Sequence, residues 1–283
     1  ELLKRRFAII QAWRPIRYPV ETDPLAIAVR SATAAGITVV VAGGTTVNFN
    51  NNFAFGGTGA LDFGARNFTG AAARTITVGG TQALRIGGAI NLGANTLTIA
   101  SGTANSGAYG ANVENPARGG RFVLAGANTF GGAVNVTNDG ATLVVQNVAA
   151  LGTGAAVNAV AGSTLRFAVA AAPLTLAKTL AVGAAAGKVL SLDQGGSDVA
   201  FTGGLAGTGD LTQSTAGKLT LGGASTYAGK LSLAAGSTLE LASAGALNGS
   251  ALAGNLAFLG NGTLRYAAAP GASADASAVL API

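Results

Sequence analysis

The fold class that this 283-residue chain predicts is an all-β solenoid: a parallel β-helix of many short strands, preceded by a short atypical N-terminal segment. Three observations point there. Short apolar–polar–apolar runs recur from Thr45 to Tyr266, and Gly, Asn and Ser clusters separate them. In addition, Leu124-Ala-Gly-Ala-Asn-Thr-Phe-Gly-Gly132 returns as Leu221-Gly-Gly-Ala-Ser-Thr-Tyr-Ala-Gly229. A chain that repeats itself is usually a stack of similar units.

Residues 1–44 form a segment of different texture. Lys4, Arg5, Arg6, Arg14 and Arg17 alternate with Phe7, Ile9, Ile10 and Trp13, and Pro15, Pro19 and Pro24 break any helix. An Ala-rich stretch from Leu25 to Ala35 follows, and Ile37 to Ala42 reads as a buried strand. A signal remnant, a cap and an unrelated fragment all remain open for this segment, because Pro-rich and acidic residues separate its basic start from its apolar run. Nowhere do 18 uninterrupted apolar residues occur, so no spanning helix is expected.

The solenoid is expected over 45–266. Its first stretch, Thr45–Gly70, with Asn50-Asn-Asn52 and several Phe residues, reads as a less regular rung. Strands are then expected at Arg74–Val78, Leu84–Ile86, Ile90–Leu92, Leu97–Ile99, Arg121–Leu124, Val134–Val136 and Leu143–Val145. They continue at Leu165–Phe167, Leu174–Leu176, Leu190–Leu192, Leu219–Leu221, Leu231–Leu233, Leu239–Leu241 and Leu264–Tyr266. In most of these the outer two side chains share one face and the middle one takes the other. Gly-Gly, Gly-Ala-Asn and Asn-Gly make the turns between them. No helical pattern intervenes, which excludes βαβ units.

A sandwich or barrel also accepts short strands with tight turns, but its strands usually run ~5–6 residues. Runs of about three residues favour the β-helix, in which inward Leu, Val and Ile stack on their equivalents above and below. At roughly 20–25 residues per rung the span holds about nine to eleven rungs. At ~4.8 Å per rung the rod would be roughly 45–55 Å long. Repeats are expected near 121–167 and 218–266, and the Ala-rich 267–283 reads as a linker or an incomplete rung.

At these residues the chain resembles a known family. Lys218-Leu-Thr-Leu-Gly-Gly-Ala-Ser-Thr-Tyr-Ala-Gly229, followed by Leu231-Ser-Leu-Ala-Ala-Gly-Ser-Thr-Leu-Glu-Leu241, is similar to the autotransporter-associated β-strand repeat; the copy over 121–145, with Asn128-Thr129-Phe130 and Gly132, is the second match. The resemblance implies a right-handed, single-stranded parallel β-helix in an exported bacterial passenger. It also implies a C-terminal outer-membrane barrel in the full-length protein, and no ~10-residue alternating segments of that kind occur here. With no Met in it, the chain is expected to be a fragment or a processed product.

A second, shorter resemblance is to the helix-then-strand passage of subtilisin-like serine proteases, over Asp23 to Gly44. Gly44 stands where that family places its oxyanion-hole Asn. The family's catalytic His has no counterpart in a chain without His, and no Gly-Thr-Ser nucleophile motif occurs. Protease chemistry is excluded.

Composition removes further classes. Cys and His are both absent, which excludes thiol nucleophiles, Ser–His and Cys–His pairs, and thiolate or imidazole zinc sites. The net charge of +6 is thinly spread: six basic and three acidic residues lie up to Arg30, eleven and eight beyond it. Without a Lys/Arg cluster among the repeats, no nucleic-acid partner is expected.

Carboxylate pairs are the catalytic chemistry left, and the candidates are Asp193, Asp198 and Asp210, with Lys188 and Lys218 near in sequence. A glycosidase needs two carboxyls ~5–9.5 Å apart. Asp193-Gln-Gly-Gly-Ser-Asp198 reads more simply as a polar turn, and it lacks EF-hand spacing. Asn128-Thr129-Phe130 and Ser225-Thr226-Tyr227 read either as a stacked sugar-binding surface or as turn residues bonded to backbone under a core-covering aromatic; the second reading is preferred. Asn67, Asn135, Asn248 and Asn261 fit the glycosylation pattern and are read as turns.

The expectation is therefore a non-enzymatic extracellular stalk with no catalytic residues, metal or cofactor. Its partners would be host or neighbouring-cell surface molecules or polysaccharide. The alternative is the β-helical spacer of a secreted enzyme, such as a subtilisin-like protease, whose catalytic domain lies outside this chain.

Overall fold

The computed structural model describes residues 38–40, 46–55, 60–79, 83–101, 120–169, 173–243, 245–246 and 255–267. Those residues are all-β, without helix, and their strands pair in parallel into four sheets. The chain is a parallel β-helix. Sheet A has ten strands, one from each successive coil: Thr38–Val40, Ala60–Asp62, Ala83–Ile86, Arg121–Leu124, Thr142–Val145, Thr164–Phe167, Val189–Asp193, Asp210–Gln213, Leu231–Leu233 and Leu256–Phe258. Nine steps of ~4.8 Å make a rod of roughly 43 Å.

The other sheets fill the remaining sides. Sheet B holds Thr46–Asn48, Asn67–Thr69 and Ile90–Asn91, in the first three coils. Sheet C holds Phe53–Phe55, Arg74–Val78, Leu97–Ser101, Val134–Thr137, Ala156–Val160, Thr179–Gly183 and Leu205–Gly207. Sheet D holds Leu174–Leu176, Val199–Phe201, Gly217–Leu221, Ser237–Leu241 and Thr263–Tyr266. Coils one to three thus run A–B–C, and coils six and seven run A–D–C. Coils four and five pass from A to C through irregular corners.

Register gives the coil length directly. Leu211 lies beside Leu231, Leu143 beside Leu165, and Leu165 beside Leu192, so coils take 20 to 27 residues. The exception is the 38-residue step from Leu84 to Phe122, which includes residues 102–119. Continuous apolar columns result. Leu61, Leu84, Phe122, Leu143, Leu165 and Leu192 stack in sheet A, and Phe201, Leu221 and Leu241 in sheet D, each buried. A fully buried Leu, Val, Ile or Phe contributes about 1.5–3 kcal/mol, and the alternation puts at least one buried aliphatic or aromatic side chain on most of the described strands.

The Thr45–Gly70 stretch is more regular than expected. Its described residues form strands of coils one and two, and its Phe side chains pack on one another: Phe49 on Phe53 at 5.4 Å, Phe63 edge-on to Phe68 at 5.0 Å. The strand expected within Ile37–Ala42 is present as Thr38–Val40, at the edge of sheet A, so that sheet reaches back past residue 44. The other proposals for residues 1–44, and the linker reading of 267–283 beyond Ala267, lie outside the described residues.

Candidate functional site

The repeated motif builds a corner. In the first copy, Asn128 lies where coil four has no strand between sheets A and C, and its side chain substitutes for one. The Ile90 N–H of the coil below donates to Asn128 Oδ1 at 2.7 Å, and Thr129 N–H donates back to the Ile90 carbonyl at 3.1 Å. Above, Asn128 N–H donates to the Ala149 carbonyl at 3.1 Å and its Nδ2 to the Ala150 carbonyl. In the second copy Ser225 repeats the arrangement on Leu205: Leu205 N–H donates to Ser225 Oγ at 2.9 Å, and Thr226 N–H to the Leu205 carbonyl at 2.9 Å. Ser225 N–H then reaches the Gly245 carbonyl at 2.7 Å.

The aromatic of each copy points inward. Phe130 and Tyr227 are buried, so neither ring is open for a sugar to stack on, and the turn reading of these residues is the one the geometry supports. Tyr227 keeps a polar end: its hydroxyl is shared between the carbonyls of Gly209, at 2.7 Å, and Lys230, at 2.9 Å. Burial pushes that hydroxyl well above the ordinary phenol range, and the nearby Asp210 carboxylate adds to the shift. The motif's last glycines do not turn the chain through positive φ. A Cβ at Gly132 would sit 2.3 Å from the carbonyl carbon of Asn95, and one at Gly229 would sit 2.1 Å from the Gly209 oxygen, so the need is close approach of stacked backbones.

The candidate carboxylates are each engaged by partners of their own. Asp193 closes a sheet A strand; its Oδ1 accepts from Gly195 N–H at 2.9 Å and from Thr215 Oγ1 at 3.2 Å, and its Oδ2 lies 3.5 Å from Arg166. Asp198 accepts from Lys218 N–H at 3.2 Å, and Asp210 from Lys230 N–H at 3.0 Å. Asp210 is in register with Val189, four positions before Asp193, which puts the two backbones ~13 Å apart along the strand direction. Lys188 pairs instead with Asp139 at 3.2 Å, and Lys218 with Glu240 at 3.4 Å. Each acid ties one coil to another or closes a turn. Among the described residues no group of three potential metal ligands occurs.

Two of the sequons are not turns. Asn67 and Asn135 lie within strands; Asn67 Oδ1 accepts from Ala89 N–H at 2.9 Å, while Asn261 Oδ1 accepts from Gly236 N–H at 3.1 Å. Asn248 lies outside the described residues. Extended Asn is tolerated here because its amide bonds to the neighbouring coil.

The outer faces differ in charge. Sheet A presents Asp62 paired with Arg85 at 3.1 Å and Arg166 paired with Asp193; sheet D presents Glu240 between Lys218 and Arg265. Sheet C has one charged residue in its strands, Arg74, whose guanidinium turns onto the Phe49 carbonyl and ring. Beside that sheet Lys178 is buried, its Nζ donating to the carbonyls of Gly152 and Gly154, and desolvation holds its pKa below the usual lysine value. Sequence reasoning missed the sheet C surface. Its signal was the pair of central asparagines, in Val134-Asn-Val136 and Val157-Asn-Ala159.

Comparison with known proteins adds little to this geometry. A family model described as an oxidoreductase/YMDC permease-like domain matches residues 1–43, and it meets the described structure only at Thr38–Val40. No curated protein and no solved structure matches the chain.

Proposed function

We propose that this chain is the β-helical stalk of an extracellular bacterial surface protein of the autotransporter type, a non-enzymatic scaffold that spaces or presents an attachment region. The observation that carries the reading is the use made of the repeated motif. Its Asn/Ser and aromatic positions are spent on joining coils, its glycines on stacking backbones, and the carboxylates that offered catalysis are engaged in separate contacts along the rod. Parallel hydrogen bonding through ten coils makes such a rod stiff along its axis.

The similarity of 121–145 and 218–241 to the autotransporter-associated repeat supports the export route. The test is surface labelling of intact producing cells with an antibody raised against the purified solenoid. Label at the cell surface, removed by external protease, is expected. Signal that appears only after lysis overturns the reading.

A further inference from the structure

Among the described residues, the outer surface of sheet C carries less charge than those of sheets A and D, and its central side chains bond to one another from coil to coil. Thr98, Asn135 and Asn158 stand in register on successive coils, pointing outward. Asn158 Nδ2 donates to Asn135 Oδ1 at 2.8 Å, and Asn135 Nδ2 lies 3.4 Å from Thr98 Oγ1. Every amide in this ladder donates toward the N-terminal end. The exposed Asn158 Oδ1 is therefore left as an acceptor at its upper end.

Directly above, the side chains shrink. Ala181 follows Asn158 in register, Gly183 follows Val160, and Ala206 follows Ala181. The step opens a depression of about 460 Å³ between the Asn158–Val160 rung and Gly207–Thr208. Its lining is uncharged throughout: apolar Val160 and Ala181, amides from Asn135 and Asn158, hydroxyls from Thr137 and Thr208.

We infer that this depression and the ladder below it bind a neutral, hydroxyl-rich glycan chain running along the rod axis. Charge argues for it first: a face with no ionised group in the site gives no compensation for burying a uronate, a phosphate or a sulfate, whereas sheets A and D carry both signs. Area argues next. Sheet C is about 29 Å long and roughly 13 Å wide, about 380 Å² in all. So narrow a strip suits a thin linear polymer lying along the axis. Periodicity is the third argument. From Thr98 through Asn135 to Asn158, hydroxyl and amide groups recur at ~4.8 Å along the axis, on the scale of one sugar unit in an extended glycan.

The inference deepens the stalk reading by naming a partner, and it depends on that reading only for access to the glycan. The test therefore uses the purified chain in solution, apart from any question of cellular location. Titration calorimetry against neutral hexose oligomers (cello-, malto- and manno-oligosaccharides), with polygalacturonate as the charged control, should show saturable binding to at least one neutral series. Asn158→Leu removes the free acceptor and Ala181→Glu puts a charge in the depression; each should weaken binding at least tenfold, while Arg166→Gln on sheet A leaves it unchanged. Circular dichroism checks that each variant is folded, and Asn158→Leu decides the matter if Ala181→Glu is not. Absence of neutral-oligomer binding at ~10 mM overturns the inference. So does preference for polygalacturonate, insensitivity to both variants, or concentration-dependent self-association that Ala181→Glu abolishes.

Discussion

The two copies of the motif share five of their nine residues and sit on different sides of the rod. At Leu124–Gly132 the corner follows a sheet A strand and leads into sheet C at Val134. At Leu221–Gly229 it follows a sheet D strand and leads into sheet A at Leu231. The flanks shift with it: Leu165-Arg-Phe167 is in sheet A, and its counterpart Leu264-Arg-Tyr266 is in sheet D. The copies lie 97 positions apart, from Leu124 to Leu221, which is four coils and one further side. The motif therefore specifies a strand–corner–strand junction and not a position around the axis. Any side will serve, because each presents the same apolar–polar–apolar strand and the same free backbone groups to the coil above.

If the junction is the unit, breaking its invariant part should cost the same in both places. Gly132→Ala and Gly229→Ala each drive a Cβ into the backbone of the coil below, which cannot move as a side-chain end would. Overpacking of this kind costs about 1–3 kcal/mol. Urea unfolding should show both variants with midpoints lowered by similar amounts. A large loss in one copy and none in the other would mean that the two corners are not equivalent.

The variable position should separate the copies. Asn128→Ala strips the Ile90 N–H and the Ala150 carbonyl of their partners, while Ser225→Ala strips only the Leu205 N–H. Each buried group left unpaired costs ~1–3 kcal/mol, so Asn128→Ala should be the more damaging by at least 1 kcal/mol in the same unfolding experiment. Equal losses would show that the upper contact of Asn128 contributes nothing.

Tyr227→Phe converts the second copy's aromatic into the first copy's and removes the hydroxyl shared by Gly209 and Lys230, a loss of about 1 kcal/mol. It also has a pH signature. Because burial raises the folded-state pKa of Tyr227 above the ordinary value of 10.0, the unfolded chain releases this proton first, and stability falls as pH rises above that value. Lys178 works the other way. Its folded pKa is lowered from 10.5, so the unfolded state binds more protons as that value is approached from below, and stability rises with pH there. Unfolding midpoints measured from pH 8 to 11 should show a downward alkaline slope that becomes shallower, or reverses, in Tyr227→Phe. An unchanged slope would mean that the Tyr227 hydroxyl ionises in the folded state as it does in the unfolded one.

How much of this was legible in the sequence follows from the same comparison. Strands with large aliphatics on both sides of a polar residue, such as Leu231-Ser-Leu233, announce themselves because the period of two is unbroken. Strands such as Thr179–Gly183 and Leu205–Gly207 do not, since Ala and Gly at outward positions blur the alternation while the coil below still supplies every hydrogen bond. The role of Asn128 and Ser225 was readable as backbone bonding from residue type alone. The rotation of the repeat by one side was not, because coil length drifts between 20 and 27 residues and the drift accumulates over four coils. The sheet C surface escaped for a related reason: Asn135 and Asn158 are 23 positions apart and become neighbours only once that particular coil length is known.

The smallest expected effect lies in the flanks, where the two copies keep the same arginine and aim it in opposite directions. Arg166 pairs with Asp193 in the coil above at 3.5 Å, whereas Arg265 pairs with Glu240 in the coil below at 3.2 Å. Both arginines are well exposed, at 46% and 63%, so solvent screens their charge and each pair contributes below about 1 kcal/mol. Glu240 also keeps Lys218 and Thr220 when Arg265 is lost. Arg166→Gln and Arg265→Gln should therefore each lower the unfolding midpoint only slightly, and 1 M NaCl should erase the difference from the parent chain. A salt-independent loss at Arg166 alone would point to its aliphatic stem. In that strand the arginine stands in register with the outward-facing but buried Val144, and a stem packed over that valine would be held by burial where charge contributes little.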